Sequence, residues 1–148
     1  MSNSSVSISL RQQQDFQFDI NFGEALPVLR ADEPAPLGKG EGPVPGQLLA
    51  AAVGNCLAAS LLFAMRKFKQ QPEPISAEVS CEVGRTDKGR MRITRIMARL
   101  NLGVEAGLLQ NLDRILESFE DFCTVSQSVR QGIPIDVEVF DASGRKLK

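Results

Sequence analysis

Residues 47–68 read QLLAAAVGNCLAASLLFAMRKF, and no charged residue occurs between Leu48 and Ala64. The stretch is helical in character, dominated by Ala and Leu. It is shorter than the ~20 strongly apolar residues that a bilayer span needs. It also carries Gly54, Asn55, Cys56 and Ser60. A buried core helix is therefore the expectation, not a membrane segment. A helix that is apolar on nearly all sides needs cover on nearly all sides, from sheets or from a subunit interface. Arg66, Lys67 and Lys69 suit the negative end of its dipole, and QQPEP breaks it.

Working upstream, residues 23–46 are rich in Gly and Pro, which predicts a long irregular loop leading straight into the helix. Within it, Asp32-Glu33 reads as a solvated feature. Residues 15–22, DFQFDINF, alternate strictly and predict a strand with Phe16, Phe18, Ile20 and Phe22 on one face. SVSISL before it is a shorter strand candidate, paired across RQQQ. Downstream, residues 75–84 alternate again, TDKG signals a turn, and MRITRIMARLNLG forms the return strand. Its apolar phase slips between Ile93 and Ile96, the mark of a bulge. Residues 105–119 repeat Leu and Ile at helical spacing, CTVSQSVRQG predicts a short further helix closed by Gly132, and IPIDVEVF ends the chain as a strand. The order ββ–loop–α–ββ–αα–β is α+β with mostly antiparallel pairing. The 148 residues read as one domain.

Formal net charge is −1, which leaves no electrostatic footprint for nucleic acid. The locally basic RTDKGRMRITRIMAR puts its arginines on the polar side of strands, where they are solvated. The N-terminus lacks the pattern of a secretory signal, so the expected compartment is the cytoplasm, where structural disulfides are rare.

The chain contains no histidine, which excludes imidazole-dependent catalysis and His-containing metal sites. Three cysteines remain. Cys81 takes an inward position of an alternating strand and reads as a small core hydrophobe. Cys56, mid-helix among Ala, Val and Leu, reads by itself as core too, because apolar burial raises a thiol pKa. Cys123 stands at a joint before a short helix, where the dipole lowers a thiol pKa. Zinc lacks its ligands, no CxxC pair occurs, and GKGEGPVPG lacks the Lys-Ser/Thr of a phosphate loop.

Taken together, DEPAPLGKGEGPVPGQLLAAAVGNCLAASLL (residues 32–62) and FEDFCTVSQSVRQGIPIDVEV (residues 119–139) resemble the OsmC/Ohr family of thiol peroxidases in content, order and separation. The resemblance covers essentially the whole chain. It implies an OsmC-like α+β fold, with long central helices enclosed by mostly antiparallel sheets from two intertwined chains. The unit would be a homodimer. Cys56 matches the peroxidatic cysteine and Cys123 the resolving one. The implied cycle reduces an organic hydroperoxide to an alcohol and is reset by a dithiol reductant, lipoyl or thioredoxin-like. No cofactor, metal, nucleic acid or membrane enters it. The family carries a glutamate in a Pro-Glu pair before the first cysteine. Here that pair is Pro45-Gly46, so the chain resembles an outlying OsmC-like branch. The family also uses an arginine to stabilise the thiolate, and Arg30 and Arg11 are the candidates. Two other readings stay open. One is a non-catalytic OsmC-like dimer that binds a small apolar ligand or a protein partner; the other is a purely structural domain.

Overall fold

The computed structural model describes residues 3–148, an α+β chain with two three-stranded sheets. Two compact units divide it, Met1–Leu48 and Leu49–Lys148.

In the first unit, β1 (Ser9–Gln14), β2 (Gln17–Asn21) and β3 (Leu29–Ala31) form an antiparallel sheet in that order. The hairpin differs from the sequence expectation. RQQQ is strand, not turn, and the chain reverses at Asp15, whose φ of 47° is left-handed. A wholly exposed edge strand has no inward face, so its sequence shows no alternation to read. The second difference is β3, which lies inside the segment expected to be irregular. Three residues are too few for a periodicity. What holds them is pairing with β2, including the directly opposed Asp19 and Arg30. Asp32 is the third correction. It is buried, not solvated, and its carboxylate accepts the backbone N–H groups of Glu33, Lys39 and Glu41 at 2.8, 3.2 and 3.1 Å. Those bonds hold its pKa below the ordinary carboxylate value against the opposing effect of desolvation. They fold the Gly/Pro-rich segment into a defined loop.

Helix α1 (Pro45–Lys67) begins on a proline, whose missing N–H has no intrahelical partner at that position anyway. By length and composition it could also cross a bilayer. Within the chain its Val53, Leu57, Leu61, Ala64 and Met65 are buried in the main core. Burying side chains of the size of Leu57 and Leu61 stabilises by about 1.5–3 kcal/mol each.

The second sheet has the order β4 (Ser76–Arg85), β5 (Met91–Asn101), β6 (Ile135–Phe140). β4 and β5 are antiparallel, and the register skips Thr94, which is the bulge expected from the slipped apolar phase. β5 and β6 are parallel, so a crossover joins them. Ile96, Ala98 and Leu100 of β5, with Ile135 and Val139 of β6, present the buried face that joins α1 in the core.

The crossover departs from the expected continuous helix over 105–119. It divides into a 3-10 turn (Ala106–Leu108), α2 (Leu112–Ser118), a second 3-10 turn (Phe119–Phe122) and α3 (Thr124–Val129). Side chains from elsewhere bond its amides. Ala106 N–H, at the start of the run, donates to Asp141 Oδ2 at 2.8 Å, and Gln110 N–H, which a continuous helix would have given to the Ala106 carbonyl, donates to Gln70 Oε1 at 2.8 Å. Asn111 turns the chain at φ 59°, a conformation Asn tolerates.

One close approach sets how α1 lies on the sheet. A Cβ on Gly54 would stand 2.5 Å from Val79 Cγ2 of β4. Gly54→Ala is expected to destabilise by about 1 kcal/mol, because overpacking of about 1–3 kcal/mol outweighs a helix-propensity gain of about 1. In a Val79→Ala background the same substitution should instead stabilise. Denaturant melts of the four variants check the change of sign.

Candidate functional site

Cys56 lies in the fourth turn of α1, one position off the buried stripe of Val53, Leu57 and Leu61, and is half-buried. Cys123 is the N-cap of α3 and is completely buried within the core cluster. The structure brings these two close enough for each thiol to act on the ionisation of the other. Cys81, on β4, is packed partly against the core, and burial pushes its thiol up.

The segment carrying Cys123 is braced on its outer side. The Glu120 carboxylate takes Arg130 Nη2 at 2.6 Å and Lys148 Nζ at 2.7 Å. Desolvation would raise its pKa, but the two cations overcome that and leave it below the ordinary value. The Glu120 carbonyl accepts Cys123 N–H at 3.0 Å and Gln127 Nε2 at 3.1 Å. Cys123 Sγ accepts Ser126 N–H at 3.4 Å, which fixes the thiol at the head of α3.

The surroundings of the sulfurs are a set of neutral donors. The Ser126 amide donates to Cys123 Sγ and its hydroxyl to the Cys123 carbonyl at 3.5 Å, while the Val125 amide lowers the pKa of Cys56 and the Ser60 hydroxyl that of both thiols. Desolvation and the bond to Cys123 push the Cys56 thiol above its ordinary value. Burial also acts upward on Cys123, but hydrogen bonds from Cys56, Ser126 and Ser60 outweigh it and hold that thiol low. The two shifts run in opposite directions, so of the pair Cys123 is the first to ionise. Ser60, Val125 and Ser126 carried no signal in the sequence; serine one helical turn after Cys56 was the only available hint.

Arg30 lies on β3 of the first unit. Its Nε and Nη2 bond Asp19 Oδ1 and Oδ2 at 2.9 and 3.3 Å, and Asp19 raises its pKa. Gly46, in the first turn of α1, has nothing within 4 Å of where a Cβ would stand. Phe122, beside Cys123 in sequence, meets Phe63 of α1 edge to face at 5.4 Å, and both rings are about half exposed. Lys67 Nζ lies 5.5 Å from the Phe122 ring centre. Among the described residues no group of three or more Cys, Asp or Glu side chains is placed to hold a metal ion.

Replacing either thiol is expected to move the other in opposite directions. Cys123→Ala removes an upward influence on Cys56, so Cys56 should ionise at lower pH. Cys56→Ala removes a donor to Cys123, so Cys123 should ionise at higher pH. Thiolate absorbance titrations of the two variants, each carrying Cys81→Ser, read both midpoints.

A model of the family described as OsmC-like protein matches residues 38–138. No curated protein matches the chain. Solved structures do. An OsmC-like protein of unknown function from Vibrio cholerae superposes with a TM-score of 0.78 at 17% identity, over 93% of this chain and 100% of that one. An organic hydroperoxide resistance protein from Elizabethkingia anophelis gives 0.73 at 14%, over 93% and 96%. The organic hydroperoxide resistance protein OhrB of Bacillus subtilis gives 0.64 at 16%, over 92% and 98%. At these identities the likeness is one of fold.

Proposed function

The chain belongs to the OsmC-like protein family, and from that premise we propose that it is a thiol peroxidase that reduces organic hydroperoxides to alcohols in defence against oxidative stress. The observation that carries this reading is that Cys56, half-buried, and Cys123, fully buried, lie near enough to act on each other's ionisation. A peroxidatic thiol must be reachable and a resolving thiol must be near it, and the exposure of Cys56 and the nearness of Cys123 support those two roles. That two of the structurally similar proteins are named organic hydroperoxide resistance proteins supports the substrate class.

In the proposed cycle the Cys56 proton passes to the Cys123 thiolate as Cys56 attacks. The Cys56 sulfur bonds the terminal oxygen of the hydroperoxide, the O–O bond breaks, and the departing alkoxide takes the proton from Cys123 to leave as an alcohol, which returns Cys123 to the thiolate. Cys56 is left as a sulfenic acid. The Cys123 thiolate then attacks that sulfur, the S–O bond breaks, and hydroxide leaves as water once protonated. An external dithiol, lipoyl or thioredoxin-like, returns both thiols by exchange. One hydroperoxide and two thiols give one alcohol, one water and one disulfide. The exposed edge-to-face pair Phe63 and Phe122 supplies apolar surface suited to the organic part of the substrate.

We read the chain as one OsmC-like domain working in the cytoplasm as a homodimer. Phe16, Phe22, Leu26 and Val28 in the first unit, and Phe63 in the second, are large apolar side chains left exposed, and a second copy would cover them. Arg30 is carried as the candidate thiolate cation, although Asp19 already holds it. Gly46 favours the second reading, a non-catalytic dimer binding an apolar ligand or a protein partner, because the family's carboxylate is missing there.

The wild-type protein is expected to consume cumene hydroperoxide with a dithiol donor and to show a Cys56–Cys123 disulfide by non-reducing peptide mass mapping. Cys56→Ser should abolish both. A wild type no faster than Cys56→Ser, with no such disulfide, leaves the second reading. Because open space surrounds Gly46, Gly46→Glu is expected to fold normally and to raise turnover severalfold; a melting curve and a steady-state assay check it.

A further inference from the structure

We propose that Ser60 is a working member of the thiol site, its hydroxyl donating a hydrogen bond to whichever of the two sulfurs carries the negative charge. This concerns the same sulfurs as the peroxidase reading; the bond to the Cys56 thiolate stands apart from that reading, and only the later turn to Cys123 rests on it.

Ser60 follows Cys56 by one helical turn, so both project from one side of α1. It is buried, 6% exposed, beside the apolar Leu57, Leu61 and Ala64. A hydroxyl taken out of water in such company is costly unless it is hydrogen-bonded. Here it lies near enough to Cys56 and Cys123 to lower the pKa of both thiols. A hydroxyl proton rotates about the Cβ–Oγ bond to suit its acceptor. The same group can therefore serve both sulfurs in turn without gaining or losing a proton. When Cys56 is the thiolate, Ser60 donates to it. Once Cys56 has become a sulfenic acid, the charge resides on Cys123, and the Ser60 O–H turns to that sulfur.

The test is alkylation of Cys56 by iodoacetamide, followed by peptide mass from about pH 5 to 10, in wild type, Ser60→Ala and Ser60→Thr, with a melting curve for each. Ser60→Ala is expected to slow Cys56 alkylation at pH 7 by about tenfold, the value of a hydrogen bond to a charged group, and to raise its midpoint by about one pH unit. Ser60→Thr, which keeps the hydroxyl, should stay close to wild type. Unchanged alkylation in Ser60→Ala overturns the proposal. So does an equal loss in Ser60→Thr, since packing and not the hydroxyl would then be responsible. Alkylation needs no peroxide. A protein without turnover that still shows the Ser60 shift rejects the peroxidase reading and keeps this one.

Discussion

The apolar surface of α1 has to be removed from water, and the way the chain does this determines where every other group can stand. Val53, Leu57, Leu61, Ala64 and Met65 are buried against β5, β6 and the crossover. Gly54 permits this side of the helix to approach β4 to within the reach of Val79. With that face committed, Cys56 falls on its margin and not at its centre. That margin is the one place on the helix where a thiol can be held by core groups and still be reached from outside.

The same core receives Cys123, by a different route. Its element is not a long helix but a joint between a 3-10 turn and α3. Short elements of this kind are weak in isolation. The joint is held by its ends: Glu120 between Arg130 and Lys148, and the Cys123 amide on the Glu120 carbonyl. The result is two sulfurs near enough to act on each other's ionisation, with the Ser60 hydroxyl and the Val125 and Ser126 amides lowering their pKa. A buried thiolate is costly. Fixed neutral dipoles offset part of that cost.

The elements legible in the sequence are those whose environment repeats along the chain. α1 and the β4–β5 hairpin, including its bulge, follow from runs long enough to show a period. The misread elements are held by partners distant in sequence. β3 exists because β2 pairs with it, and the loop after it because Asp32 binds three amides. The run 105–119 carries a helical pattern, yet Asp141 and Gln70 take its amides and break it. β1 hid for the opposite reason, since an exposed strand imprints no pattern.

The site divides along the same line. Cysteine identity, the absence of histidine and the order of the two cysteine contexts are properties of the sequence alone, and they restricted the chemistry to thiols and pointed to the family. Which donors reach the sulfurs, which thiol is buried, and that the two thiols meet are decided only by the tertiary structure. Cys56 and Cys123 are 67 positions apart in the chain. Their proximity is set by how α1 and the crossover pack into one core, and packing is a property of three-dimensional neighbours that no local pattern records.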